Sequence, residues 1–544
     1  MPRARAELEM LLERHGAFGP VEVRVELALL CVEPPLELVP IHRQARLQTG
    51  VCRRVQGFGQ ELQVRAQGTV VRRTANGIAE RLLLGEQGLE AVAVPGHPAE
   101  HSVGGERAIR RVHASECNRA GHTAAQAAHP GSVWQDHAVQ RVVVTGLGVT
   151  CALGADVESF WAGLVSTASG AREIDVEGVG TIAAFPARDP DDAAKEHFGA
   201  RESRRMDRVG RFAALAGAEA LRSGGAPDVR PEQIGASLGC AHGGTETLME
   251  AHRAFLERGA DRVSPFSVAL SLPNAPCAAM TRVLELRGPT MVTSAACAAG
   301  TDAIGFAYRA IRDGRAPLML AGGAEAPITP VVAAGYLKAG ALSPSTRPVD
   351  ERSRPFDADR DGFVIGEGAG ILLLESLDHA LARGASVLAE VCGHGASCDA
   401  GHLTDPDPTG SGAARAMLAA LEDAGLTPDA VEYVNAHATS TPVGDTAEAR
   451  ALQAAGVGHA AVSATKAGHG HTLGAAGGIE AVGTILALSR GVLPATRNLT
   501  TPDDGDTLDH VTEPRHVHVE VAVSTSFGFG GHNSCVVFRR PPGA

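Results

Sequence analysis

The 544-residue chain is poor in aromatics, which make up only 3% of it, and its ten cysteines include no CxxC pair. Without such pairs neither a zinc site nor a disulfide framework is indicated, and scattered thiols suit a reducing cytoplasm. No apolar run approaches the roughly 20 residues of a membrane span. Glu7, Glu9 and Glu13 interrupt any signal-peptide core at the N-terminus. Positive charge is also in short supply: the net charge of −13 argues against nucleic acid as the partner. What remains, 44% hydrophobic and 20% charged, is a globular composition, long enough for roughly three or four structural units.

The shortages are uneven. Residues 1–138 have no Lys and no Tyr, and hold 16 Arg, 14 Glu and the single Asp136. Their net charge is +1, against −14 for the remainder. Apolar periodicity is poor there, although Glu22-Val23-Arg24-Val25-Glu26-Leu27 alternates like a strand. A docking or regulatory domain is one reading. The favoured one is a poorly ordered extension that the fold does not need, and an upstream start-site error explains the same composition. Val139-Gln140-Arg141 is the natural beginning of the acidic body of the chain.

Two motifs start and are not completed. Arg141-Val142-Val143-Val144-Thr145-Gly146-Leu147-Gly148 resembles the opening of a dinucleotide fingerprint, but position 151 is Cys and no acidic residue closes a second strand. The glycines are expected to make a tight turn. Asp357, Asp359, Asp361 and Gly362 match half of a calcium loop, but its twelfth position is Gly368. These carboxylates are expected to pair with Arg354 and Arg360.

From residue 141 onward, strands and helices alternate. Strands are predicted at 141–146, 233–239, 289–292, 318–321 and 370–375, with a Gly-Gly turn at 322–323. Helices are predicted at 207–221 and 273–286. The pattern restarts near residue 389, with strands at 388–391, 431–435 and 462–463, helices at 412–424, 446–455 and 475–489, and a closing hairpin at 527–531. This is an α/β chain with a buried parallel or mixed sheet and a suggestion of duplication.

The chemistry centres on Thr293-Ser294-Ala295-Ala296-Cys297-Ala298-Ala299-Gly300, between a short apolar strand and a helix whose apolar spacing runs through Ile304, Ala307 and Ile311. Unpaired N–H groups at a helix N-terminus favour a thiolate, and small neighbours let a carbonyl approach. The alternative is a buried, inert cysteine. Three further strand-end motifs join it: Asn435-Ala436-His437-Ala438-Thr439-Ser440-Thr441-Pro442, Lys466-Ala467-Gly468-His469-Gly470-His471, and Ser526-Phe527-Gly528-Phe529-Gly530-Gly531. Strand ends are where α/β proteins place catalysis. A nucleophilic Cys with two histidines suits acyl transfer followed by stabilisation of an enolate, without a metal.

Together with the 354–370 stretch, these motifs resemble the β-ketoacyl-acyl-carrier-protein synthases, above all the type II elongating synthases, over about residues 139–540. The resemblance implies a thiolase-like fold of two duplicated halves, 139–388 and 389–544, in a layered α-β-α-β-α architecture. It implies a homodimeric, cytoplasmic condensing enzyme that elongates fatty acids or polyketides. No resident cofactor is implied, because phosphopantetheine arrives on the partner, an acyl carrier protein. Carried over, Cys297 is the acyl acceptor, His437 and His471 the decarboxylation pair, and Lys466 and Glu480 their buried support. Thr439 and Thr441 match pantetheine-binding positions. Phe529 matches the acyl-pocket gate, its N–H joining that of Cys297 as an oxyanion hole. Arg201, Arg204 and Arg205 match a carrier-docking region, which Arg262 and Arg347 could extend; solvated surface arginines are the plain alternative. His471 argues against an initiating synthase, which has Asn there, and Cys297 against an inactive chain-length partner, which has Gln. The chain departs from the pattern at Ala438 and at Ala467-Gly468-His469. His469 is expected to be structural, bonded to solvent or backbone. A coenzyme A thiolase, a non-catalytic partner subunit and a Cys–His hydrolase are the competing readings.

Overall fold

The computed structural model describes residues 139–225 and 228–541, and within 1–138 only four strands. These strands, Glu61–Arg65, Thr69–Arg73, Ala79–Gly85 and Gly88–Glu90, form an antiparallel sheet in the compact unit Met1–Ser132. The alternating stretch 22–27 and the expected poor order of the extension lie outside the described residues.

The second unit, Val133–Ala544, is built on eleven strands. In chain order they are β1 (Val142–Thr150), β2 (Ile234–Gly239), β3 (Thr290–Thr293), β4 (Leu318–Glu325) and β5 (Gly368–Ser376). There follow β6 (Ala389–Cys398), β7 (Tyr433–Asn435), β8 (Ala461–Ser463), β9 (Asp509–His510), β10 (Val521–Gly528) and β11 (His532–Arg539). The hydrogen-bonded order is β9-β8-β7-β10-β11-β6-β1-β5-β4-β2-β3.

That order is a duplication. From the seam outward the first half runs β1-β5-β4-β2-β3 and the second β6-β11-β10-β7-β8. In both halves the successive pairings are antiparallel, antiparallel, parallel and parallel. Strands β1 and β6 join the halves antiparallel, and β9 adds to the far edge.

Helices cover both halves. Helix α1 (Arg208–Ser223), capped by Asp207, packs on β1, β4 and β5, and α2 (Ala275–Val283) packs on α1. On the second half α3 (Ser411–Ala424) packs on β6 and β11, and α4 (Pro442–Ala454) on α3. Between the halves lie α5 (Ala299–Arg312) and α6 (Ala476–Arg490). Helix α5 touches β2 and β4 on one side and β6 and β11 on the other; α6 touches β4 and β5 as well as β10. Every residue of α6 from Ala476 to Leu488 is buried, as a helix enclosed by sheet on both sides must be. The result is the α-β-α-β-α stack that the resemblance implies.

Two expected turns are strand instead. β1 runs unbroken through Gly146 and Gly148, because α1 lies against it so closely that a Cβ at Gly148 would sit 1.9 Å from the Ala216 carbonyl oxygen and one at Gly146 2.1 Å from that of Ala220. Likewise β4 continues through Gly322-Gly323, where a Cβ on Gly322 would meet the Gly370 oxygen at 2.0 Å. In this chain these glycines serve close packing, not chain reversal. The aspartate loop is structural in part as expected. Asp357 accepts from Arg354 Nε (2.8 Å), while Arg360 pairs chiefly with Asp503, outside the motif. Asp359 goes to Arg347 and Asp361 accepts from the Ser343 hydroxyl.

Candidate active site

The duplication puts equivalent corners face to face. β3 leads through a single 3-10 turn, Ala296–Ala298, into α5; β8 leads, by way of the short helix Lys466–His469 and the turn Leu473–Ala475, into α6. The two helix starts nearly touch: a Cβ on Gly300 would lie 2.9 Å from both the Gly474 oxygen and the Gly478 nitrogen. Cys297 stands on one corner and His471 on the other. Ala296 and Leu473 are both held at positive φ, 49° and 50°, a backbone strain that surrounding packing must sustain.

The predicted residues converge. His471 Nε2 lies 3.1 Å from Cys297 Sγ, and the donor atoms of Cys297, His437 and His471 all fall within 4.8 Å of one another. The imidazoles of His437 and His471 meet edge to face at 5.3 Å. Lys466 Nζ, fully buried, donates to His437 Nδ1 at 3.3 Å and is paired with Glu480 on α6.

These contacts fix the tautomers. An ammonium only donates, so His437 Nδ1 accepts and Nε2 carries the proton. His471 Nδ1 is buried with no partner. An unmatched lone pair is less costly there than an orphaned N–H, so His471 also holds its proton on Nε2, toward the sulfur. Burial first, then the Lys466 charge, holds both imidazoles well below the usual histidine range, so both are neutral donors. Burial also pushes the Glu480 carboxyl up, to about 7, against the pull of Lys466.

The resting state of Cys297 corrects the expectation of a thiolate. Burial pushes its thiol up to about 12, and this outweighs the Lys466 charge and the N–H of Phe529, which pull it down. A helix start with few free donors does not replace the lost water.

Phe529 stands at the β10–β11 turn, where Gly530 and Gly531 take φ of 85° and 78°, and its backbone N–H bears on the Cys297 sulfur. A cavity of about 360 Å³ opens on Cys297, His437, His471, Thr439, Thr441 and Phe529, so both threonines line it. Thr441 also caps α4 by accepting from Gly444 N–H, and its hydroxyl lies 3.1 Å from that of Thr439. His469 is buried away from solvent, and its Nε2 lies 3.0 Å from the Thr465 hydroxyl.

Not every predicted residue joins this site. Arg201, Arg204 and Arg205 lie on the surface around the short helix Ala200–Ser203, with Arg205 paired to Glu202. Arg347 is taken by Asp359, and Arg262 is exposed.

Several residues hold the site in roles that the sequence reading did not assign. Glu448 of α4 accepts the backbone N–H groups of His437 (2.8 Å) and Ala438 (2.6 Å), fixing the loop; burial pushes its carboxyl up to about 7. Asn435 ties β7 to α6 through the Glu480 carbonyl, and Thr301 joins α5 to Ser526 of β10. Phe363 packs on His471 and Phe527 on His437. A glutamate in an Ala-rich helix was the one available signal, and it is a weak one.

A duplicated five-layer α/β fold with one Cys and two neutral His donors at the meeting of its central helices defines a condensing-enzyme architecture. Comparison with known proteins agrees. The N-terminal domain of the beta-ketoacyl synthases matches residues 139–380 and the C-terminal domain 388–500. The 3-oxoacyl-[acyl-carrier-protein] synthase 2 of Synechocystis sp. is 42% identical over 416 residues, 74% of this chain and 98% of that protein. Among solved structures, the ishigamide ketosynthase/chain length factor superposes with a TM-score of 0.69 at 33% identity, covering 74% of this chain and all of that one. A type II polyketide synthase acyl-carrier protein in complex with its ketosynthase bound to the hexaketide gives 0.67 at 29%, with the same coverage. The chain belongs to the beta-ketoacyl synthase family.

The neutral histidines make a prediction about pH. Their folded values lie below the unfolded value of about 6.5, so the unfolded chain binds the extra protons. The stability each ring contributes is full above that pH and is lost as pH falls toward the folded values. In urea titrations between pH 7 and pH 5, the His437→Gln/His471→Gln variant should lose less stability than the parent, by up to about 1.4 kcal/mol per pH unit for each ring removed. Parallel curves for parent and variant would show that the rings are not held neutral.

Proposed function

We propose that the chain transfers an acyl group from an acyl carrier protein to Cys297 and condenses it with malonyl carrier, releasing CO₂ and giving a 3-oxoacyl carrier. The observation that carries this reading is the convergence of one thiol and two Nε2–H donors beside a buried ammonium.

The steps are set by the groups present. Cys297 sulfur bonds the acyl carbon as the carbon–sulfur bond to pantetheine breaks, and the cysteine proton passes to the departing thiolate. Negative charge developing on Sγ meets the His471 N–H and the Lys466 charge. The N–H groups of Cys297 and Phe529 serve the oxyanion, and Thr439 and Thr441 hold the pantetheine arm. Malonyl carrier then enters. As CO₂ leaves, the enolate oxygen accepts from His437 and His471, and its carbon bonds the acyl carbon, freeing the Cys297 thiolate to be reprotonated. Glu480 balances Lys466, and the Phe529 ring gates the acyl side.

Residues 139–388 and 389–544 act as the two halves, with 1–138 an addition that condensation does not need. The match to the Synechocystis protein supports this, since it spans 98% of that protein within 74% of this chain. The free edge of β3, with exposed Met291, and the outward Phe255, Phe266, Val268 and Leu272 suit a second copy of the chain. All seven cysteines among the described residues are free, as a reducing cytoplasm keeps them. No helix among the described residues is long and apolar enough to cross a membrane. Arg201 and Arg204 offer exposed positive charge on an acidic body, fit for an acidic carrier.

Cys297→Ala should abolish acylation and condensation while some malonyl decarboxylation survives. His437→Ala/His471→Ala should still form acyl-Cys297, more slowly, but release CO₂ about 10² times more slowly or worse, the scale of losing an oxyanion donor. Labelled malonyl carrier and intact mass measure both. Normal CO₂ release by the double variant would remove the role given to the pair; condensation by Cys297→Ala would remove the nucleophile.

Arg201→Glu/Arg204→Glu should raise KM for acyl carrier and spare small acyl thioesters, and the parent KM should rise with salt. Equal loss on both substrates would refute docking at this patch.

A chain beginning at Val139 should be soluble, dimeric by sedimentation and able to condense. Insoluble, monomeric or inactive protein would show that the preceding residues are needed.

A further inference from the structure

Cys297 and Phe529 line a second cavity, of about 170 Å³, which neither His437 nor His471 lines. Its remaining lining is Ala241, His242, Ala296, Tyr336 and Leu473. If Cys297 carries the acyl group as proposed above, this is where the carbons next to the thioester lie, since the first cavity holds the donors for the malonyl partner. A chamber for saturated carbon would be apolar throughout. This one is not.

His242 and Tyr336 face each other across it, the hydroxyl 3.5 Å from Nε2, at the long limit of a hydrogen bond. His242 Nδ1 lies 3.6 Å from Glu325 Oε1 with no hydrogen-bond partner of its own. Glu325, fully buried, is no incidental neighbour. Its carboxylate accepts the backbone N–H groups of Ala241 (2.7 Å), His242 (3.2 Å) and Gly474 (3.2 Å) and so pins the His242 loop to the corner after His471. Burial opposes a charge on His242, yet the contact with Glu325 prevails and raises its basicity above the ordinary. Burial keeps the Tyr336 hydroxyl protonated. The chamber therefore presents an imidazole nitrogen and a phenol O–H, whose only mutual contact is weak.

We infer that His242 and Tyr336 select acyl chains bearing an oxygen, as ketone or hydroxyl, on the carbons next to the thioester. A saturated chain packed here strips water from both groups and returns nothing, leaving buried polar groups short of partners. An oxygen in the chain supplies the missing acceptor. Discrimination by polar groups left short of partners is far stronger than discrimination by a methylene. The inference rests on the condensing-enzyme reading and adds its substrate class.

The test uses the full chain and three four-carbon pantetheine thioesters: butanoyl, 3-hydroxybutanoyl and 3-oxobutanoyl. The rate of acyl-Cys297 formation is followed by intact mass, and each rate is divided by that of thiolysis by free glutathione to remove intrinsic reactivity. The parent should favour at least one oxygenated thioester over butanoyl by about tenfold or more. His242→Leu should bring the ratio near one by slowing the oxygenated substrate and speeding butanoyl. His242→Gln, which keeps a donor, should retain most of the preference, and Tyr336→Phe part of it. A parent that takes butanoyl as fast as both oxygenated thioesters, or an unchanged ratio in His242→Leu, overturns the inference while the condensing reading stands. Absence of acyl-Cys297 with all three thioesters overturns both.

Discussion

The charge on Lys466 is the constraint on which the site depends. A fully buried ammonium needs a counter-charge and acceptors, and Glu480 and His437 Nδ1 supply them. Because Lys466 occupies Nδ1, the His437 proton points into the cavity. Burial first, and then its positive charge, keep either neighbouring imidazole from taking a second proton, and both remain neutral donors. The same charge is the strongest influence drawing the Cys297 thiol back from the rise that burial imposes. Removing one member of such a buried pair typically costs about 3–5 kcal/mol, since its partner is left charged and dry. Lys466 therefore couples the folding of the core to the protonation state of everything that faces the substrate.

The fold makes this arrangement possible through small residues. Helices α5 and α6 meet start to start only because Gly300, Gly474, Gly477 and Gly478 let backbones approach; a Cβ on Gly477 would lie 2.1 Å from the Thr301 hydroxyl oxygen. That approach brings a nucleophile on one half within 3.1 Å of an imidazole on the other. Repeating one strand-turn-helix unit and closing the copies on each other places two chemically different corners at one point, with the sheet halves holding the distance.

Much of this was legible. Cys297, His437 and His471 each come after a short apolar run and precede a helical one, so the strand-end rule found them without tertiary information, and the resemblance added Lys466, Glu480, Thr439, Thr441 and Phe529. Features decided by tertiary approach were not legible. Gly146-Leu147-Gly148 and Gly322-Gly323 look like turns because a sequence shows that a side chain is missing but not what fills its place. The Gly-Gly misreading had a consequence: ending β4 at Ala321 left Glu325 out of the strand that carries it to the core. The neutral Cys297 thiol was missed because local donors were weighed and burial was not. Glu448 and His242 were hidden for the same reason, being single polar residues whose enclosure depends on distant segments.

The two cavities give the site its order of events. Among the described residues, Cys297 and Phe529 are the only ones that line both, so the sulfur faces the two chambers at once. On the condensing reading, an acyl group on Cys297 turns its chain to the His242 side and leaves the His437 and His471 donors clear. A malonyl group arriving first would meet those donors but no bound electrophile, and its enolate would be lost to protonation. The geometry thus favours acylation before malonyl entry. On that same reading the short turn carrying Phe529 is well placed to enforce that sequence, because its N–H bears on the sulfur and Phe529 lines both chambers.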